Sequence, residues 1–211
     1  MGCRSPSATT LARDASAPRT PLPYTLPFIL YPFPVIVLGL DPGTRHTGWA
    51  VVETNGRTER ALDYGVIDLP ESMEHPQRLQ TIYAEVGAVI ERHGPVESAV
   101  EMPVFAGNAQ SLLKLGRAQA ALMLVAVHHN LPVSQYTPAE VKKAVVGNGN
   151  AAKGQVAYMV RAMLGLPETP PEDAADALAV ALCHGRRATR GPAAPAKDWK
   201  SFLAANPGRV K

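Results

Sequence analysis

Apolar residues fall into runs and periods that change character along this chain. Val35 to Leu40 is an unbroken apolar run without the polar alternation of a surface strand, so it predicts a central strand covered on both faces. The run ends on Asp41, and Pro42-Gly43 then reverses the chain, because proline presets one turn dihedral and glycine accepts the positive φ that other residues resist. Trp49–Thr54 and Ala61–Leu69 read as two further strands, with Asn55-Gly56 as the turn between them. Alone, Asp41 also reads as an acid that caps its own hairpin turn.

The period then changes. Leu79, Ile82, Tyr83, Val86 and Ile90 recur at helical spacing until His93-Gly94-Pro95 stops the helix. Ser98 to Glu101 is a short fourth strand that again delivers a carboxylate at its end. A long helix follows from Asn108 to His129; Leu112, Gly116, Ala120, Met123 and Val127 line one face of it, and the small residues among them permit close approach of another helix. Leu131–Tyr136 reads as a fifth strand. Thr137-Pro138-Ala139-Glu140 is a capping box with proline at the first helical position, so a helix starts there and Gly147-Asn148-Gly149-Asn150 breaks it. Val156, Met159, Val160, Met163 and Leu164 mark another helix, and 172–187 the last. Three strands, then alternating helices and strands, predict an α/β fold on one mixed five-stranded sheet with helices on both faces.

Composition sets the flanks apart. Residues 1–34 hold seven of the twenty prolines and no sustained period, which predicts a disordered extension; a start codon assigned too early leaves the same pattern. The predicted domain is 35–184, and 185–211 is a basic tail with seven Lys/Arg against one acid. The apolar stretch Phe28–Leu40 has 13 residues interrupted by Pro32 and Pro34, whereas a membrane span needs about 20, so no membrane crossing is expected. The prolines and the lack of a small-residue cleavage site argue against a secretory signal. Two cysteines, Cys3 and Cys183, supply no disulfide framework and fit a reduced, cytoplasmic protein.

Within the acidic domain, positive charge is segregated. Residues 107–162 carry Lys114, Arg117, Lys142, Lys143, Lys153 and Arg161 against Glu140 alone. Such a stripe fits a polyanion tracked along one surface, and it also fits ordinary solvated helix faces.

Asp41 and Glu101 end two apolar strands, and Asp173 and Asp176 sit three apart near a helix start, on one face. Acids in a first helical turn are also what the macrodipole favours. Four converging carboxylates need a positive charge to offset their repulsion. Mg²⁺ or Mn²⁺ supplies it through oxygen ligands, and the chain has no Cys/His cluster at zinc spacing. Two such ions, on the order of 4 Å apart, would activate water and stabilise the leaving oxygen of a phosphodiester.

Several segments follow one another in a specific order and spacing: Leu38-Gly39-Leu40-Asp41-Pro42-Gly43-Thr44 with Thr47-Gly48, Val100-Glu101 with Asn108 seven residues later, and Ser111-Leu112-Leu113-Lys114-Leu115-Gly116-Arg117-Ala118-Gln119. Val141-Lys142-Lys143, Val145-Val146-Gly147-Asn148-Gly149, Lys153 and Asp173-Ala174-Ala175-Asp176-Ala177-Leu178-Ala179 continue the series. The resemblance they carry, over residues 35–184 of the 211, is to the RuvC family of bacterial Holliday junction resolvases, within the RNase H-like nuclease superfamily. It implies an RNase H-like fold in which Asp41, Glu101, Asp173 and Asp176 bind metal and carry catalysis. It further implies that Lys142 and Lys153 touch junction phosphates and that the helix from Asn108 helps form a homodimer. Paired, symmetry-related cuts in a four-way DNA junction follow, with branch-migration helicase subunits of the RuvA and RuvB type as partners.

The chain departs from the family where relatives often carry an aromatic three residues after the glutamate. Val104 stands there, next to Pro103, and Phe105 follows. Phe105 reads either as a substitute platform for an unpaired base or as a core residue. Some relatives have His at the position of Asp173. His46 reads as a surface-loop residue, and His184 lies about 16 Å of helix rise beyond Asp173, too far to join it. An actin- or Hsp70-like ATPase also opens with a strand, Asp, Gly and Thr, but needs two such domains and a second phosphate loop that this length does not hold. The smaller YqgF-like nucleases share the opening motif without the Leu113-Lys114-Leu115-Gly116 stretch.

Overall fold

A computed structural model of the chain describes residues 34–190 apart from 56, 105 and 106, with backbone alone at 188–190. The predicted extension before residue 34, the tail beyond 190, Cys3, Gly56 and Phe105 lie outside the described residues. The elements are β1 (Val35–Asp41), β2 (His46–Thr54), β3 (Glu59–Asp68), α1 (His75–His93), β4 (Glu97–Glu101), α2 (Ala109–His128), β5 (Val133–Tyr136), α3 (Pro138–Val146), α4 (Lys153–Leu164) and α5 (Glu172–Arg190).

The five strands form one sheet in the order β3-β2-β1-β4-β5. β1 to β3 are antiparallel neighbours, and β4 and β5 run parallel to β1, so the sheet is mixed as predicted. β1 is central, which is why its sequence lacks polar alternation. Its side chains alternate between two cores: Val37 packs with Val141, Val156, Leu178 and Leu182 from α3, α4 and α5. Leu38 and Leu40 pack with Ile82 and Val86 of α1 and Leu122 and Val125 of α2 on the other face.

Local signals end the helices where the sequence predicts. Gly94 takes a left-handed conformation, φ 57°, and its N–H reaches the Ile90 carbonyl. Thr137 and Glu140 form the reciprocal capping box of α3, and the Asn108 side chain accepts the Gln110 and Ser111 N–H groups at the start of α2. β2 begins at His46 rather than Trp49 because buried Thr47 and Gly48 still pair with Ile67 and Val66 of β3.

The arc of α2 buried against the rest of the fold is offset from the Leu112–Val127 face. Ala118, Leu122, Val125 and Ala126 are its buried residues, whereas Ala120 and Val127 of the predicted stripe are exposed. α2 is apolar around most of its circumference, so periodicity alone does not fix which arc the sheet covers. Among the described residues no helix is long and apolar enough to cross a membrane.

His46 is exposed, with Nδ1 2.9 Å from Asp68 Oδ1. His184 is buried far from Asp173 and ties α5 to the sheet: its ring nitrogens lie 2.8 Å from the Tyr136 hydroxyl and 2.6 Å from Glu97 Oε2. Cys183 is a free, buried thiol.

Candidate active site

The site is built at the C-terminal ends of β1 and β4. These strands are parallel neighbours in register at Leu40 and Val100, so the next residue on each is an acid, Asp41 and Glu101. Val37 and Ala99 belong to the core under α5, and a strand alternates with period two, so Asp41 and Glu101 project towards α5 as well. α5 itself begins with Glu172 and Asp173 and carries Asp176 one turn on.

Two strand glycines let that helix descend. A Cβ on Gly39 would lie 2.2 Å from the Ala177 carbonyl oxygen, and one on Gly48, the register partner of Asp41, would lie 2.0 Å from that of Asp173. Neither position tolerates a side chain. The turn after Asp41 is equally tight: a Cβ on Gly43 would overlap the His46 carbonyl, the Thr47 hydroxyl donates to the Gly43 carbonyl at 3.1 Å, and Arg78 donates to the Thr44 carbonyl at 3.0 Å. Arg78 also donates to the carbonyls of Met73 and Glu71, which locks the loop before α1 beneath the turn.

The acids act on one another. Burial raises the Asp41 carboxyl well above the usual range, and Glu101, Asp176 and Asp173 add to the rise. Burial, then the Asp176 charge, pushes Glu101 up to about 7, while Lys153 and Lys142 oppose the shift. Asp176 is also raised, by burial first, against the pull of Lys153. A set of carboxylates with raised proton affinity lacks sufficient positive charge around it.

Lys153, at the first turn of α4, supplies part of that charge. Its Nζ lies 2.5 Å from Glu172 Oε1 and 3.5 Å from Asp176 Oδ2, and the bond to Glu172 leads the causes that raise its pKa. Among the described residues no three His, Cys, Asp or Glu side chains are gathered closely enough to hold a metal ion. The donor set, four hard carboxylates and no thiolate or imidazole, is nonetheless the chemistry of Mg²⁺ and Mn²⁺.

Of the basic residues singled out in the sequence, Lys142 on α3 and Lys153 act on the acids, and Lys143 is exposed beside Lys142. Lys114 and Arg117 lie elsewhere, on the exposed part of α2, where burial and these two charges lower the His75 pKa at the start of α1. Glu172 and Arg78 were not among the predicted site residues. The adjacency of Glu172 to Asp173 was the available signal for the first; nothing in the sequence pairs Arg78 with a turn 34 residues away.

Residues 37–184 match the family described as crossover junction endodeoxyribonuclease RuvC. The RuvC of Salinibacter ruber is 51% identical over 177 residues, covering 83% of this chain and 99% of that protein. The RuvC of Porphyromonas gingivalis is 40% identical over 184 residues, covering 83% and 97%. Among solved structures, T. thermophilus RuvC in complex with Holliday junction substrate is similar with a TM-score of 0.71 and 39% identity, covering 74% of this chain and 96% of that one. A match of this length and identity, on a fold that carries its acids on β1, β4 and α5, makes this chain a member of the RuvC family of crossover junction endodeoxyribonucleases.

Proposed function

We propose that this protein resolves four-way DNA junctions by divalent-metal-dependent hydrolysis of paired phosphodiester bonds, in recombination and repair. The observation that carries this reading is the placement of Asp41, Glu101, Asp173 and Asp176 at one end of the sheet, where burial and mutual repulsion raise the first two carboxyls. A family relative, T. thermophilus RuvC, has been solved with Holliday junction substrate, which supports the choice of DNA.

Asp41, Glu101, Asp173 and Asp176 would hold Mg²⁺ or Mn²⁺, two ions per site. When bound, the metal supplies an activated water and stabilises charge on the leaving oxygen. The protein fixes what surrounds that chemistry. Asp41 and Glu101 stand on adjacent strands of a rigid sheet, and Gly39 and Gly48 hold α5 close enough for Asp173 and Asp176 to face them. Lys153 and Lys142 hold the scissile region by its phosphates, and Lys143 extends the contact. Lys114, on α2, takes phosphates farther from the cut, whereas Arg117 lines a hollow on the same helix.

Paired cuts need two sites related by a two-fold axis, as the junction itself is. The outer face of α2 provides the surface for a homodimer: Ala109, Leu112, Leu113, Gly116, Arg117 and Ala120 line a hollow of about 440 Å³, and Leu113, Leu124 and Val127 are exposed along the helix. Branch-migration subunits of the RuvA and RuvB type are the expected partners on the same junction, in the cytoplasm. The test is cleavage of a synthetic four-way junction against linear duplex, with Mg²⁺ or Mn²⁺. Symmetrical nicks in the junction and none in the duplex are expected; equal cleavage of both, or none of either, overturns the reading.

A further inference from the structure

The corner between α3 and α4 carries an apolar hollow that the carboxylate chemistry does not use. Val146, Gly154, Gln155, Tyr158 and Met159 line about 350 Å³. Tyr158 is 65% exposed, and a Cβ added to Gly154 would meet nothing within 4 Å. The two are four residues apart and share the face of α4 opposite buried Val156. One wall is therefore an aromatic ring in water, and beside it is a stretch of helix without a side chain.

The surroundings are cationic. α3 and α4 carry Lys142, Lys143, Lys153 and Arg161, while Glu140 is already paired with Arg187. Lys153 is the residue next to Gly154 and reaches Glu172 and Asp176, so the hollow opens one residue from a side chain that touches the acids. Positive charge on α3 and α4 disfavours the chain's own basic tail, residues 185–211 with seven Lys/Arg against one acid, as an occupant. A flat apolar group attached to a polyanion satisfies both the hollow and the charge of the two helices that form it, and a nucleobase is such a group.

Building on the junction-nuclease reading above, we propose that Tyr158 and this hollow receive one unstacked base of the DNA and thereby set which phosphodiester reaches the acids. Stacking on an aromatic face accepts any base, so Tyr158 contributes affinity. Gln155 contributes discrimination: its Oε1 accepts the Ala152 N–H at 3.0 Å to cap α4, and its amide nitrogen, which takes no part in that cap, can donate to a base edge.

An abasic scan of a four-way junction tests this, with each nucleotide near the crossover removed in turn and binding measured in Ca²⁺. Tyr158→Ala is expected to weaken binding roughly tenfold, as loss of one stacked base does. At one position, base removal is expected to weaken the wild type by a similar factor and Tyr158→Ala not at all. Gly154→Leu puts a side chain into the hollow from a helical position where a Cβ meets nothing within 4 Å, and a thermal melt of the variant checks that it folds. It should lose affinity like Tyr158→Ala and shift the cleavage position, while Tyr158→Trp keeps both. Wild-type affinity and cleavage position in both Tyr158→Ala and Gly154→Leu would overturn the proposal, whatever protein segment the hollow then takes. Loss of junction cleavage by the wild type itself would instead remove the reading on which it rests.

Discussion

Gly48 passes beneath Asp173 so closely that a single methyl group on it would stand 2.0 Å from the Asp173 carbonyl oxygen. Because Gly48 is also the register partner of Asp41, the contact that seats α5 on the sheet is the one that brings a helix acid to a strand acid. Packing and site geometry are set by the same missing side chain.

Gly48→Ala should therefore damage both. The helix must lift, at a cost of about 1–3 kcal/mol for overpacking, and cleavage should fall by more than the loss of folded protein explains. Thermal melts and junction cleavage measured on the same preparation separate the two effects. Wild-type cleavage in a destabilised but folded Gly48→Ala would show that α5 carries no acid of the site.

Much of this was legible before any coordinates. The unbroken apolar run of β1 announced a central strand, and Asp41 and Glu101 were visible as acids ending two such runs. The Thr137/Glu140 capping box was equally plain, because capping is a local hydrogen-bond pattern written in four residues. What failed was information held between elements. The stripe from Leu112 to Val127 marks one apolar face of α2, but a helix apolar on most sides does not encode which arc meets the sheet, and Val127 is exposed. Charge alone groups Lys114 and Arg117 with Lys142 and Lys153, and only the fold sets the first two beside His75 and the others beside Glu101. Glycines in strands at Gly39 and Gly48 were the unread signal for close approach.

Asp176→Asn keeps the shape of the side chain but removes its charge. Junction binding in Ca²⁺ should stay within a factor of about three, and cleavage in Mg²⁺ should drop more than roughly a hundredfold, beyond what the loss of an outer-shell partner of a metal costs. Single-turnover cleavage beside a binding isotherm checks both. Undiminished cleavage would exclude Asp176 from the metal site.

The raised carboxyls give the metal-free protein a characteristic pH dependence. Glu101 holds its proton up to about 7, against an ordinary value of 4.5, and Asp41 and Asp176 are shifted in the same direction. A group whose folded pKa exceeds its unfolded one keeps a proton the unfolded chain has released, so Glu101 lowers stability as pH rises from about 4.5 to about 7, and Asp41 and Asp176 act in the same direction. A divalent metal held by these carboxylates would supply the positive charge in place of the proton. Thermal melts across that window should show the metal-free protein losing stability relative to Asp41→Asn/Glu101→Gln/Asp176→Asn, and saturating Mg²⁺ should remove the difference. A metal-free wild type that gains stability on that variant as pH rises would contradict the raised values.

Lys142 and Lys153 act on the acids, and their proposed contact with backbone phosphates is measurable through counterion release. Each phosphate contact contributes close to one unit to the slope of log K against log salt. Lys142→Ala and Lys153→Ala should each weaken junction binding and flatten that slope by about one. Lys153 is already paired with Glu172 and Asp176, so DNA must draw it from those partners, and Glu172→Gln should tighten binding in a background that retains Lys153 but not in Lys153→Ala. Isotherms at four or five salt concentrations for the two single variants, and at one for the Glu172 and Lys153 double-mutant cycle, decide the matter. An unchanged slope in Lys153→Ala, or an equal gain from Glu172→Gln in both backgrounds, would place the Lys153 ammonium off the DNA path.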